Sequence, residues 1–130
     1  MSLEISVVKQ PGGVCIFKLD GRLEDDTYES LKNQVEPYLN DQTKVLILDL
    51  EKLEYISSIG LGVIFEAKRE IEAAGNIYIM ANLQPQIKKI FEIVKALPEK
   101  AVFETMEEVD KYLNLMQEKE KNRQKGIVDD

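Results

Sequence analysis

The segment that most constrains this fold is the apolar run Lys44-Val45-Leu46-Ile47-Leu48-Asp49-Leu50, which leads through Glu51-Lys52-Leu53-Glu54-Tyr55-Ile56 to Ser57-Ser58-Ile59-Gly60-Leu61-Gly62-Val63-Ile64. The run is too short to span a membrane and rich in strand formers, which suits a central strand covered on both faces. Ile64, Ala67, Ile71 and Ala74 then recur at helical spacing among charged residues, so a buried strand is expected to pass to a helix through a short polar turn. Two serines mark the junction. A serine oxygen there can accept a hydrogen bond from an otherwise unpaired amide of the first helical turn, which accounts for one of them. Gly60 and Gly62 fall in the first turns of the same helix, each unfavourable by roughly 0.5–1 kcal/mol relative to alanine. Either the helix packs closely on its own sheet, which the spacing favours, or a small-residue surface admits another molecule's backbone to the serines.

The flanking segments supply a framework for that junction. Leu3, Ile5 and Val7 alternate with polar neighbours, and Lys9-Gln10-Pro11-Gly12-Gly13 turns this strand into a second one, Val14 to Leu19. Asp20-Gly21-Arg22-Leu23-Glu24 leaves that strand and brings charge to its end. Asp26 and Glu29 have capping-box spacing ahead of a first helix carrying Tyr28, Leu31, Val35 and Tyr38, closed by Pro37 and Asn40-Asp41. Gly75 ends the second helix, and Asn76 to Ala81 form another strand. Pro85 opens a third helix with Ile87, Ile90, Phe91 and Val94 on its apolar stripe, stopped at Leu97-Pro98. Ala101-Val102-Phe103 reads as a short last strand, and Thr105 with Glu108 caps a fourth helix bearing Val109, Tyr112, Leu113 and Met116. The expected fold is α/β: a single domain over residues 1–116, with a mostly parallel mixed sheet that opens with a hairpin and four helices packed against it. Residues 117–130 alternate in charge sign and are expected to form a frayed or disordered tail.

Composition removes most chemistries. A formal net charge of -7 opposes binding to a nucleic acid backbone, which needs a concentrated basic face. No apolar segment approaches a membrane span and Met1-Ser2-Leu3-Glu4 lacks a signal-peptide layout, so a cytoplasmic protein is expected. The one cysteine, Cys15, lies in an apolar run and reads as a small buried hydrophobe. The chain has no histidine, which excludes a Ser-His-Asp site and removes the commonest nitrogen metal ligand. Zinc would be left with one cysteine and carboxylates, a poor donor set. There is no phosphate-binding G-x-x-x-x-G-K-[ST] loop, and Gly60-Leu61-Gly62 lacks the third glycine of a dinucleotide site. Most carboxylates fall on polar helix faces as solvated charge. A non-enzymatic protein without cofactor or metal is therefore expected. A serine with no base beside it is suited to receive phosphate from another protein's active site.

Leu48-Asp49-Leu50 leading to Tyr55-Ile56-Ser57-Ser58-Ile59-Gly60-Leu61-Gly62-Val63-Ile64 resembles the signature of STAS domains, in particular bacterial anti-sigma factor antagonists. Gly21-Arg22-Leu23-Glu24 is similar to that family's Gly-x-Leu-Asp segment, and the element order agrees over about residues 3–116. The resemblance implies a partner-switching regulator of transcription. Its unphosphorylated form would bind an anti-sigma factor that is also a serine kinase of the GHKL type, freeing the sigma factor. Phosphorylation at the start of the second helix would abolish this, and a PP2C-type phosphatase would reset it. Ser58 matches the phosphorylated position, with Ser57 as a rival because it stands where the family often has Asp. Ser57, Ser58, Ile59, Gly60, Leu61 and Gly62, with Glu24 and Arg22, are the implied partner-binding residues. A non-switching STAS scaffold in a signalling or transport complex is the alternative, and a nucleotide- or anion-binding module is the third option.

Overall fold

The computed structural model describes residues 2–40, 42–93, 102–103, 105–111 and 114–115. The chain runs β1 (Leu3–Gln10), β2 (Val14–Leu23), α1 (Tyr28–Val35) continuing into a 3-10 turn (Glu36–Tyr38), β3 (Val45–Ile56), α2 (Ser58–Ala73), β4 (Ile77–Ala81), α3 (Pro85–Ile93) and β5 (Val102–Phe103). Residues 106–111 are helical again. The strands form one sheet in the order β1-β2-β3-β4-β5, with β1 antiparallel to β2 and every other pair parallel. This is the hairpin-opened, mostly parallel sheet read from the sequence.

Because successive strand residues face opposite sides, each apolar run feeds two cores at once. Cys15, Phe17 and Leu19, Leu46, Leu48 and Leu50, and Tyr78 and Met80 point to one side, where α1, α2 and α3 contribute Leu31, Val35, Ile64, Ala67, Ile71, Ile87 and Phe91. Val14, Ile16, Val45, Ile47, Ile79 and Ala81 form the other layer with Val109, and Met106 packs against it. β1 borders the sheet, so only its alternate residues Leu3, Ile5 and Val7 pack inward. The cap read at Thr105 is present, its Oγ1 accepting the Glu108 amide at 3.2 Å. The expectations for Val94, Leu97-Pro98, Ala101, Tyr112, Leu113, Met116 and the tail 117–130 lie outside the described residues.

Two boundaries differ from the sequence reading, and both matter for the serine junction. β2 continues past Leu19 to Leu23, and β3 continues past Leu50 to Ile56, so the expected polar turn is strand. β4 accompanies β3 only from Val45 to Asp49, whereas β2 follows it to Ile56. Beyond Asp49 the two strands form an arm that loses one layer of cover, and polar residues appear. The pairing also slips twice along this arm, from Lys18↔Asp49 to Asp20↔Lys52 and from Gly21↔Leu53 to Arg22↔Tyr55. Each slip places an extra residue in β3, a bulge that returns the next apolar side chain to the core face. Leu50, Leu53 and Ile56 are therefore all buried at a spacing of three, which hides the strand from any search for alternation. On the side that β4 has left, the Glu51 and Glu54 carbonyls accept hydrogen bonds from Gln84 Nε2 at 2.7 Å and Gln86 Nε2 at 3.2 Å. Asp49, itself buried, accepts from Asn82 Nδ2 at 3.0 Å and ties the start of the arm to the segment after β4.

Candidate functional site

The arm delivers Ser57 and Ser58 to the sheet's end. Ser57 is extended, and its amide still donates to the Leu23 carbonyl at 2.9 Å, prolonging the ladder between β2 and β3 by one bond. Its Oγ accepts the Gly60 amide at 3.2 Å, and its carbonyl accepts the Leu61 amide at 2.9 Å. Ser57 is thus the N-cap of α2, satisfying one of the amides that a helix start leaves unpaired. Ser58 is the first helical residue and is exposed, as is Ile59 at 41%. The two serines have different geometry and different freedom.

The glycines divide in the same way. Gly60 is buried, and a Cβ there would lie 2.8 Å from Leu23 Cγ, 3.0 Å from the Leu23 carbonyl oxygen and 3.2 Å from Ile56 Cγ1. Close packing of α2 on the β2–β3 arm requires this glycine. A Cβ at Gly62 would meet nothing within 4 Å, so the chain's own packing does not require it. Leu61 is half-buried and packs at the edge of the core.

Opposite the serines, the segment after β2 is fastened by Thr27. Its Oγ1 donates to the Arg22 carbonyl at 2.7 Å and accepts the Glu24 amide at 2.9 Å. The expected Asp26–Glu29 capping box is corrected here: Thr27 is the N-cap of α1, and its buried hydroxyl serves the upstream backbone instead of the helix. An open groove results, lined by Glu24, Asp25, Asp26, Tyr55, Ser57, Ser58 and Ile59. Arg22 stands at its margin, with Nε 2.8 Å from Glu24 Oε2 and its guanidinium carbon 4.3 Å from the centroid of the Tyr55 ring. Of the residues expected at one site from the sequence, Glu24, Arg22, Ser57, Ser58 and Ile59 come together at this groove, whereas Gly60, Leu61 and Gly62 lie outside its lining. Asp25, Asp26, Tyr55 and Thr27 are not among the expected residues. Tyr55 had a usable signal, since it precedes Ser57 by two residues and shares its face of an extended chain.

The groove offers an exposed hydroxyl, an apolar step at Ile59 and Tyr55, and a strongly acidic wall. Among the described residues no group of three or more His, Cys, Asp or Glu side chains could hold a metal ion. Nor is any helix among them long and apolar enough to cross a membrane.

The STAS domain family model matches residues 6–109, a span that contains the whole groove and most of the sheet. The chain belongs to the STAS domain family. Among its relatives is BtrV of Bordetella bronchiseptica, provisionally named an anti-sigma factor antagonist, with 27% identity over 81 residues, 62% of this chain and 70% of that protein. Among solved structures, the anti-sigma factor antagonist SpoIIAA in its unphosphorylated form superposes with a TM-score of 0.71 at 20% identity, covering 97% of this chain and 100% of SpoIIAA. A sulfate transporter family protein from Wolinella succinogenes shares the fold with a TM-score of 0.71 at 22% identity, over 83% of this chain and 90% of that one. The STAS fold thus recurs in proteins named for two quite different settings.

Proposed function

We propose that this STAS protein is an anti-sigma factor antagonist working by partner switching in the cytoplasm, with Ser58 as its phosphorylated residue. The observation that carries the assignment is the division of labour between the serines. Ser57 Oγ is engaged in capping α2, whereas Ser58 is exposed in the groove. In the unmodified state the groove and the exposed side chains of Ile59 and Tyr55 bind an anti-sigma factor that is also a GHKL-type serine kinase, which releases its sigma factor. The kinase transfers phosphate to Ser58, and a PP2C-type phosphatase removes it. A phosphoserine carries about -1.5 to -2 charge, and the first turn of a helix tolerates it well. The domain therefore stays folded while its contact surface acquires a bulky dianion. Desolvating such a group against a partner without a matching cation costs the few kcal/mol that separate tight from weak binding.

The relatives' names support the antagonist reading, and the fold shared with a sulfate transporter family protein supports a second: a non-switching subunit of a transport or signalling assembly. Anion binding in the groove has less support, because Glu24, Asp25 and Asp26 line it. The deciding experiment exposes the protein, Ser57→Ala and Ser58→Ala to native cell extract and ATP and reads intact mass with fragmentation. One phosphate lost only in Ser58→Ala is expected. Dependence on Ser57 would move the acceptor, and no phosphate beside a demonstrably active kinase would replace the switch with the non-switching subunit. Ser58→Asp should weaken kinase binding and leave thermal stability nearly unchanged.

A further inference from the structure

A switch at Ser58 requires only a hydroxyl that can be modified, yet the margin of the groove also carries a poised cation. Arg22 and Glu24 are two residues apart at the end of β2, paired through Nε and Oε2 at 2.8 Å. The Arg22 guanidinium lies over the ring of Tyr55, its direct neighbour in the strand register, at 4.3 Å from the centroid. Glu24 and Tyr55, the two groups holding Arg22, both line the groove with Ser57 and Ser58. The next rung of the same ladder is Leu23↔Ile56, and beyond it the Ser57 amide donates to the Leu23 carbonyl. The serines therefore follow directly from the strand pair that carries Arg22.

A phosphate on Ser58 would add about -1.5 to -2 charge to a groove already lined by Glu24, Asp25 and Asp26. We propose that Arg22 is the built-in counter-charge of the modified state, exchanging the Glu24 carboxylate for the Ser58 phosphate while its flat face stays on Tyr55. The proposal rests on the reading of Ser58 as the modified residue. A guanidinium binds a phosphate dianion in preference to a single carboxylate, and its planar fork bonds phosphate oxygens in pairs. The Arg22 and Glu24 side chains are 36% and 18% exposed, so their pair is partly solvated and exchange meets little resistance. The exchange has a consequence for recognition. In the unmodified protein Glu24 is neutralised by Arg22; in the modified protein it is released as a free carboxylate on the surface a partner must approach. One modification thereby changes two features of that surface.

The test uses the full chain with phosphoserine installed at position 58 during translation, so that the contact is read independently of any kinase. Titration of the phosphate by phosphorus NMR gives its second pKa in wild type, Arg22→Gln and Arg22→Lys. Loss of a contact cation should raise that value by about 0.7 unit in Arg22→Gln, the size of a contact pair of unit charges in water. Arg22→Lys should fall between the two, and its retained charge guards against a variant that merely disturbs the arm. Equal values in wild type and Arg22→Gln would overturn the proposal. So would a shift that follows added magnesium and ignores Arg22, because the counter-charge would then come from solution. Failure of the Ser58 assignment shows instead in the mass experiment, where phosphate would survive Ser58→Ala.

Discussion

One added methyl group should have opposite effects at the two glycines that open α2. Gly60→Ala and Gly62→Ala both gain the same helix propensity, about 0.5–1 kcal/mol in a helix interior. At Gly62 nothing opposes the gain, since a Cβ there would meet no atom within 4 Å. At Gly60 the methyl would press on Leu23 Cγ at 2.8 Å and on the Leu23 carbonyl at 3.0 Å, and Leu23 is fully buried with no room to yield. Overpacking of this kind costs about 1–3 kcal/mol. The propensity gain cancels in the comparison, so Gly60→Ala should be less stable than Gly62→Ala by about 1–3 kcal/mol. With an m-value of about 1.5 kcal/mol/M in urea, the two unfolding midpoints should differ by about 0.7–2 M, with wild type between them or near Gly60→Ala. Coincident midpoints, or a Gly60→Ala midpoint above that of Gly62→Ala, would refute the packing argument. The more stable Gly62→Ala protein then becomes the clean reagent for partner binding: weakened binding without lost stability would place a partner against that open surface.

Three further outcomes follow from the geometry. Ser57→Ala should lower stability by about 1 kcal/mol through loss of the cap, whereas Ser58→Ala should stay within about 0.5 kcal/mol of wild type by urea denaturation. Equal losses would contradict the assignment of the cap to Ser57. Thr27→Val removes the partly buried bonds to the Arg22 carbonyl and from the Glu24 amide and should cost about 1–3 kcal/mol, with Thr27→Ser recovering most of it. Tyr78 is fully buried and donates to the Ile64 carbonyl at 3.0 Å; burial, with Glu72 adding a smaller like-charge effect, pushes its hydroxyl far above the ordinary phenol value. One of the five tyrosines should then fail to ionise in an ultraviolet pH titration until the fold is lost. The stability Tyr78 contributes is complete below about pH 10, where the unfolded chain also keeps its proton, and falls as pH rises above it. A full tyrosinate count in the folded protein would show that the site is not sealed.

Much of the site was legible because its constraints are local. A serine ahead of an amphipathic helix is a cap by short-range geometry, and Gly21-Arg22-Leu23-Glu24 reads as charge at a strand end in any fold that keeps β2. The arm was less legible. Residues Glu51 to Tyr55 look like a turn because β4 pairs with β3 only as far as Asp49 and two bulges change the apolar spacing from two to three. Asp26 and Glu29 satisfied a capping pattern, yet Thr27 had a stronger use for its hydroxyl in the bonds that fasten the preceding segment. The first misreading arises where a distant strand sets the local requirement, the second where the backbone just upstream of the helix takes the capping hydroxyl.

By itself, the sequence determined the class of fold, the order of its elements, the absence of histidine-based chemistry and the pair of serines at a helix start, because periodicity, composition and capping act over a few residues. Tertiary structure alone decided which serine is engaged and which is exposed, which glycine is filled by its neighbours and which is open, and that Arg22, Glu24 and Tyr55 share the margin of one groove. Those outcomes depend on the register between β2 and β3, a long-range pairing shifted twice by bulges that no local pattern encodes.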